Sequence, residues 1–184
     1  MIHVGLIIGI AVIAILVIYA IVTYNSLIKF RNWIQEAWSQ IDVQLKRRHD
    51  LIPNLVNTVK GYATHEKETL EKVIQARSQL VSGSAQDRID ADNEIQQTLK
   101  SIFALAESYP DLKANQNFLS LQEELTSTEN KVAYSRQLYN KTVAEYNIKR
   151  ETFPTIILAN MMNFKRQEQL EIPEAEREVP TVEF

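Results

Sequence analysis

The chain has 184 residues, a net charge of −3, 45% hydrophobic residues and no cysteine. The lack of cysteine excludes disulfides, thiolate catalysis and Cys-ligated metals, and the slight negative charge gives no indication of a nucleic-acid partner. Because only 4 Gly and 5 Pro occur and no run is typical of a strand, the composition predicts an all-α fold of long helices.

The N-terminal segment has no charged side chain at residues 4–28, and residues 4–22 are almost all Ile, Val, Leu or Ala. At about 1.5 Å per residue, such a helix covers a hydrocarbon core of about 30 Å. A cleaved signal peptide is the alternative, but its apolar core would have only about 7–15 residues and a small-residue cleavage site would follow. We therefore expect residues 1–24 to be a transmembrane helix, with the lipid bilayer as a partner.

Basic residues follow this span at Lys29 and Arg31, whereas the preceding flank has almost none. The positive-inside rule then predicts a single-pass protein with its N-terminus outside and its C-terminal domain in the cytoplasm.

After the span, apolar residues recur every three or four positions as far as Leu45, which predicts that the membrane helix continues into a soluble amphipathic helix. Two interpretations of Pro53 are open. Asp50 can cap a new helix with Pro53 in its first turn, or one kinked helix can run from Leu6 to Leu80. We favour the turn, which would put the basic cluster at residues 46–48 near a helix C-terminus, where cations interact favourably with the dipole.

Three further helices are predicted, ending near Leu80, spanning residues 89–107 and spanning residues 112–151. The last should bury Phe118, Leu125, Val132 and Val143 on one face, in coiled-coil-like spacing. Short loops favour antiparallel neighbours, so residues 25–165 are predicted to form a long antiparallel four-helix bundle. Residues 166–184 are acidic and contain two prolines, and we expect a flexible tail.

An apolar patch follows the last predicted helix. In an antiparallel bundle it would lie at the membrane face, which makes it a candidate membrane-interface element. Its members are Phe153, Ile156, Ile157, Leu158, Met161, Met162 and Phe164.

Four residues are candidate contacts of a homo-oligomer. Gly5 and Gly9 form a small-x-x-x-small pair, which either lets two membrane helices approach closely or is simply tolerated in a lipid-facing helix. Trp33 and Trp38 lie about 140° apart on a helix and cannot both face one core. At least one should therefore meet lipid headgroups or another chain.

No catalytic or cofactor-binding site is expected, and no metal site. His49 and His65 each precede a carboxylate, but they are far apart, and Thr69 stands where a zinc-protease motif needs its second histidine. The pairs Tyr139-Asn140 and Tyr146-Asn147 are one heptad apart, and they either set helix register or are ordinary core tyrosines.

Several segments resemble the LemA family: residues 37–48 (AWSQIDVQLKRR), 50–56 (DLIPNLV), 59–63 (VKGYA), 121–125 (LQEEL) and 128–130 (TEN), together with the Tyr-Asn pairs. The resemblance covers about residues 6–164. It implies a bacterial inner-membrane protein with an N-terminal span, a cytoplasmic helical bundle and no enzymatic activity. On this basis we expect a self-associating scaffold, with other membrane proteins as candidate partners. The alternative is a lipid-facing, membrane-remodelling protein that uses the apolar patch.

Overall fold

The computed structural model describes residues 2–63 and 66–171, and within these ranges the chain is helical and contains no strand. The elements are α1 (Ile2–Lys60), α2 (Lys67–Arg77), a 3₁₀ turn (Ser78–Val81), α3 (Ala85–Ala106), α4 (Pro110–Lys113), α5 (Gln116–Glu151) and α6 (Thr155–Met161). The all-α prediction is thereby confirmed for the described residues, whereas the antiparallel arrangement stays a prediction.

The favoured turn at Asp50 is wrong, because α1 is a single helix that passes through Pro53 and ends at Lys60. Proline has no N–H, so it cannot donate to the carbonyl of His49, four residues earlier. Arg77 of α2 supplies the missing donor: its Nε donates to that carbonyl over 2.7 Å. The alternative of one kinked helix is correct through Pro53 but wrong beyond it, since the chain turns after Lys60, at a glycine of low helix propensity.

The chain forms two compact units. The first contains α1 up to Ala37 together with Leu138–Gln169, and the second contains Trp38–Gln137 with Leu170 and Glu171. Apolar side chains of α1, α2, α3 and α5 are buried in the second unit: among them are Ile41, Leu45, Leu55, Val59, Leu70, Val73, Ile89, Ile95, Ile102, Phe118, Leu125 and Val132. In the first unit the buried set includes Leu27, Ile34, Val143, Tyr146, Ala159 and Phe164.

The starts of α3 and α5 follow from local capping. Gly83 has φ of +90°, where a Cβ would lie 3.0 Å from the Asp87 carboxylate, and Ser84 and Asp87 then form a reciprocal capping box. The predicted fourth helix begins later than expected, because Asn115 interrupts it: its Oδ1 accepts from the backbone N–H groups of Asn117 and Phe118.

The predicted buried face of this helix is confirmed, since Phe118, Leu125, Val132 and Val143 are at most 2% exposed. Beyond α6, Leu170 is also buried, while residues 172–184 of the expected tail lie outside the described residues. The domain boundaries at residues 24 and 165 stay predictions.

Candidate membrane interface

The first part of α1 presents an apolar surface that no other part of the described chain covers. An 18-residue stretch of this helix has a mean hydropathy of 3.1, and none of it is buried. Because transfer of such side chains out of water is favourable, the helix is apolar and long enough to span a membrane.

Helix α6 packs beside the end of this apolar stretch. The Tyr19 hydroxyl and the Thr155 Oγ1 are 3.0 Å apart, within hydrogen-bond distance. The rings of Tyr24 and Phe164 meet edge to face, with their centroids 5.8 Å apart. Thr155, Phe164 and Ala159 are all buried, so these contacts leave the opposite side of α6 uncovered.

The uncovered side carries several exposed apolar side chains, along with Asn160. Phe153 is 76% exposed, Ile157 52%, Met161 78% and Met162 40%, and the helix that carries Ile157 and Met161 is held against Tyr19 through Thr155. Ile156 and Leu158 of the predicted patch are half-buried. Phe164 departs from the predicted patch, because it is buried against Tyr24 and helps to attach the segment instead.

The second Tyr-Asn pair has a role that the sequence analysis missed: it fastens the chain that follows α6. Asn147 donates its side-chain N–H to the carbonyl of Gln167 and accepts from the N–H of the same residue, at 2.8 and 3.0 Å. The Tyr146 hydroxyl donates to the carbonyl of Lys165 over 2.8 Å. Arg150 completes the attachment by donating from Nε to the carbonyl of Phe164 over 2.7 Å. One of the two pairs at heptad spacing, Tyr146-Asn147, thus binds the segment that follows α6, and the use of the pairs in helix register stays a prediction.

The candidate oligomer contacts have different surroundings. A Cβ atom at Gly5 or Gly9 would have no neighbour within 4 Å among the described residues outside its own helix backbone. Trp33 is 41% exposed and lies edge to face against Phe30, with the Lys29 ammonium 4.8 Å from its ring centroid. Trp38 is half-buried, with the guanidinium of Arg88 5.3 Å from its ring centroid. The space beside Gly5 and Gly9 is therefore open within the part of the chain that the structure describes, and their use in an oligomer stays a prediction.

A buried ion pair in the second unit was also missed. Arg48, expected near a helix end, lies inside α1 with no exposure, and its Nη1 donates to Asp92 of α3, which is 1% exposed. Its Nε donates to Thr128 of α5 over 3.4 Å, so one side chain joins three helices. Burial raises the pKa of the Asp92 carboxyl, and the neighbouring Arg48 and Arg136 charges oppose that rise. Arginine in a basic run usually faces solvent, so only the pairing partner far along the chain could reveal this burial.

In the ranges that the structure describes, no three His, Asp or Glu side chains are arranged to hold a metal ion. His49 instead hydrogen-bonds the adjacent Asp50 carboxylate over 2.9 Å, and His65 lies outside the described residues.

Over residues 2–63 and 66–171 these features define a class, that of all-helical proteins with one N-terminal helix apolar enough to cross a membrane. The LemA family model matches residues 37–184, and the chain belongs to the LemA family, as the sequence resemblance predicted. Protein LemA of Metamycoplasma hominis is 28% identical over 155 residues, which cover 83% of this chain and 71% of that protein.

Magnetosome protein MamQ of Magnetospirillum gryphiswaldense is 24% identical over 79% of this chain and 63% of its own length. Magnetosome protein MamQ 2 of Paramagnetospirillum magneticum is 22% identical over 91% of this chain and 71% of its own. The chain thus spans slightly less than two thirds of the first of these two relatives. With the apolar helix, the relationships support a membrane-associated protein of the LemA type.

Proposed function

We propose that this protein is a non-enzymatic, membrane-anchored scaffold that self-associates and presents a helical bundle at the cytoplasmic surface of the inner membrane. The observation that carries the proposal is α1, one helix that begins in the apolar segment and ends among the buried residues of the second unit. A single span cannot line a pore, so we expect the protein to act by binding other molecules at the surfaces of its helices. Other membrane proteins are the partners we expect at these surfaces.

The orientation rests on Lys29 and Arg31, which follow the span directly. A green fluorescent protein fused after Phe184 should fluoresce, and alkaline phosphatase fused there should be inactive. Active phosphatase would show the opposite orientation and refute the proposal of a cytoplasmic scaffold.

Self-association is supported by the open surface at Gly5 and Gly9 and by the exposed ring of Trp33. Light scattering of the full-length protein in a mild detergent should give a mass above one chain. The substitutions Gly5→Leu and Gly9→Leu together should shift that mass towards the monomer, since side chains there keep helices apart. Ala11→Leu, on the opposite face of the same helix, is the matched control and should have no effect. A monomeric wild type would refute self-association.

A second function, direct contact of the domain with lipid, is favoured by the position of α6. The exposed side chains of Ile157 and Met161 lie beside the end of the apolar stretch, held there by Thr155 and Phe164. This position also supports the prediction that α5 runs back towards the membrane, as an antiparallel bundle requires. Such a helix would embed its apolar side at the boundary between headgroups and acyl chains.

The lack of native cysteine makes this second function directly testable. A nitroxide attached at Met161→Cys in the full-length, reconstituted protein should be accessible to oxygen and shielded from a water-soluble nickel chelate. The control is Val43→Cys, an equally apolar position that is 61% exposed in the second unit and should be accessible to the chelate. Equal chelate access at both positions would contradict lipid contact by α6.

A further inference from the structure

Positive charge is concentrated around α6 in a chain that is acidic elsewhere. Residues 25–35 contain Lys29 and Arg31 with no carboxylate, and residues 147–167 contain Lys149, Arg150, Lys165 and Arg166 with one carboxylate, Glu151. We call these six basic residues the basic band. The remainder of the chain has 14 basic and 22 acidic residues. The band is therefore a local cationic region and not a reflection of the overall composition.

The band is assembled from three separate stretches of the first unit. The Tyr24 ring of α1, two turns before Arg31, packs edge to face against Phe164, which directly precedes Lys165 and Arg166. Burial raises the pKa of the Tyr146 hydroxyl, and the charges of Arg150 and Arg31 oppose that rise. Lys149 stands next to Arg150 in the last turn of α5, and Arg150 Nη2 donates to Asn160 Oδ1 of α6 over 3.1 Å. Arg166 Nη1 is 3.7 Å from the Glu151 carboxylate, which is also 3.7 Å from Arg150 Nη1.

Most of the band remains open to a ligand. Arg150 already donates hydrogen bonds to the carbonyl of Phe164 and the side chain of Asn160, so it attaches α6 and the chain after it to α5. Lys29, Arg31 and Lys165 are exposed, Lys149 is half-buried, and the Arg166 side chain is 71% exposed. Glu151 is the sole carboxylate of the two stretches, and with Glu36, Glu145 and Glu168 just outside them there are still only four carboxylates for six basic residues.

We propose that the basic band binds the phosphate groups of anionic phospholipids in the leaflet that α6 enters. The inference rests on the proposed contact of α6 with lipid and names the lipid chemistry of that contact. Charge complementarity selects this occupant: the cations flank the exposed apolar side chains of α6, which is held at the end of the apolar stretch of α1. The ligand with the matching pattern is a negative headgroup above acyl chains. An acidic protein would match the cations but leave Phe153, Ile157 and Met161 in water.

The test is the lipid selectivity of the full-length protein, reconstituted in vesicles of phosphatidylcholine and phosphatidylglycerol in equal parts. Spin-labelled phosphatidylglycerol and phosphatidylcholine report how strongly each lipid associates with the protein. The wild type should prefer phosphatidylglycerol, and Lys149→Gln, Lys165→Gln and Arg166→Gln together should lower the preference by about fivefold or more, given the contribution of one basic residue near an anionic surface. Added salt should weaken the wild-type preference, because it screens exposed charges.

Two matched triple variants control for the change in net charge and for loss of fold. Lys46→Gln, Lys100→Gln and Lys131→Gln make the same change in net charge at exposed positions of the second unit, and they should leave the preference unchanged. Lys149→Arg, Lys165→Arg and Arg166→Lys conserve the charge and should keep it, which separates loss of charge from loss of fold.

A triple Gln variant with the wild-type preference would overturn the inference, and so would equal losses in the two triple Gln variants. If the nitroxide at position 161 lies in lipid but phosphatidylglycerol is not preferred, the headgroup inference alone fails. If that nitroxide lies in water, both the proposed lipid contact by α6 and the headgroup inference fail.

Discussion

Helix α1 continues through Pro53 because a distant arginine replaces the hydrogen bond that proline cannot make, and this explanation predicts a specific energetic coupling. In Arg77→Met the aliphatic stem is kept, but the half-buried carbonyl of His49 loses the donor that lies 2.7 Å away. Hydrogen bonds to charged groups contribute about 1.5–3 kcal/mol, and an unsatisfied buried acceptor costs about 1–3 kcal/mol. We expect the substitution to lower the free energy of unfolding by about 2 kcal/mol.

Pro53→Ala restores a backbone N–H that can donate to His49 from within the helix. In the Pro53→Ala background, Arg77→Met should lower the free energy of unfolding by at least about 1 kcal/mol less than it does in the wild type. This difference is the coupling energy of the double-mutant cycle. The measurement is urea unfolding of the full-length protein in non-ionic micelles, followed by circular dichroism. Arg47→Met is the control, because Arg47 forms an exposed pair with Glu124 and should cost less than about 1 kcal/mol in both backgrounds. An equal cost of Arg77→Met with and without Pro53 would refute the explanation.

Three further predictions concern the core, a helix cap and the attached segment. Leu125→Ala, at a site 1% exposed, should lower the free energy of unfolding by about 2–5 kcal/mol, whereas Tyr134→Ala, at a site 68% exposed, should change it by less than about 0.5 kcal/mol; similar effects would mean that the buried face of α5 is wrongly assigned. Ser84 lowers the pKa of Asp87 through its side-chain and backbone hydrogen bonds, so the ionised Asp87 carboxylate stabilises the fold at neutral pH, and this contribution is lost as the pH falls through the lowered pKa. Ser84→Ala should raise the Asp87 pKa towards its ordinary value in an NMR titration. An unchanged pKa would contradict the capping box. Asn147→Ala removes both hydrogen bonds to Gln167 and should speed amide hydrogen exchange at residues 164–169 by about tenfold or more, measured by mass spectrometry. The control Lys141→Ala, at an exposed position, should leave the exchange rate unchanged. Unchanged protection in Asn147→Ala would show that other contacts hold the segment.

The sequence alone determined the features that depend on near neighbours in the chain. The uncharged apolar run at residues 4–22 predicts a spanning helix because its length and transfer free energy are properties of the run itself. The burial of Phe118, Leu125, Val132 and Val143 follows in the same way, since a helix turns its residues to one side at a constant angle. The resemblance to the LemA family was likewise carried by contiguous motifs.

Only the tertiary structure decided the features that depend on partners distant in sequence. A proline four residues after His49 normally argues for a helix end, and the donor that removes this penalty belongs to Arg77, 28 residues further on. Arg48 belongs to a basic run that favours solvent, yet Asp92, 44 residues away, allows its burial. The same holds for Asn147, because the chain that it binds returns only after α6. Local periodicity carries no information about such pairings, since they arise when packing brings together helices that lie far apart along the chain.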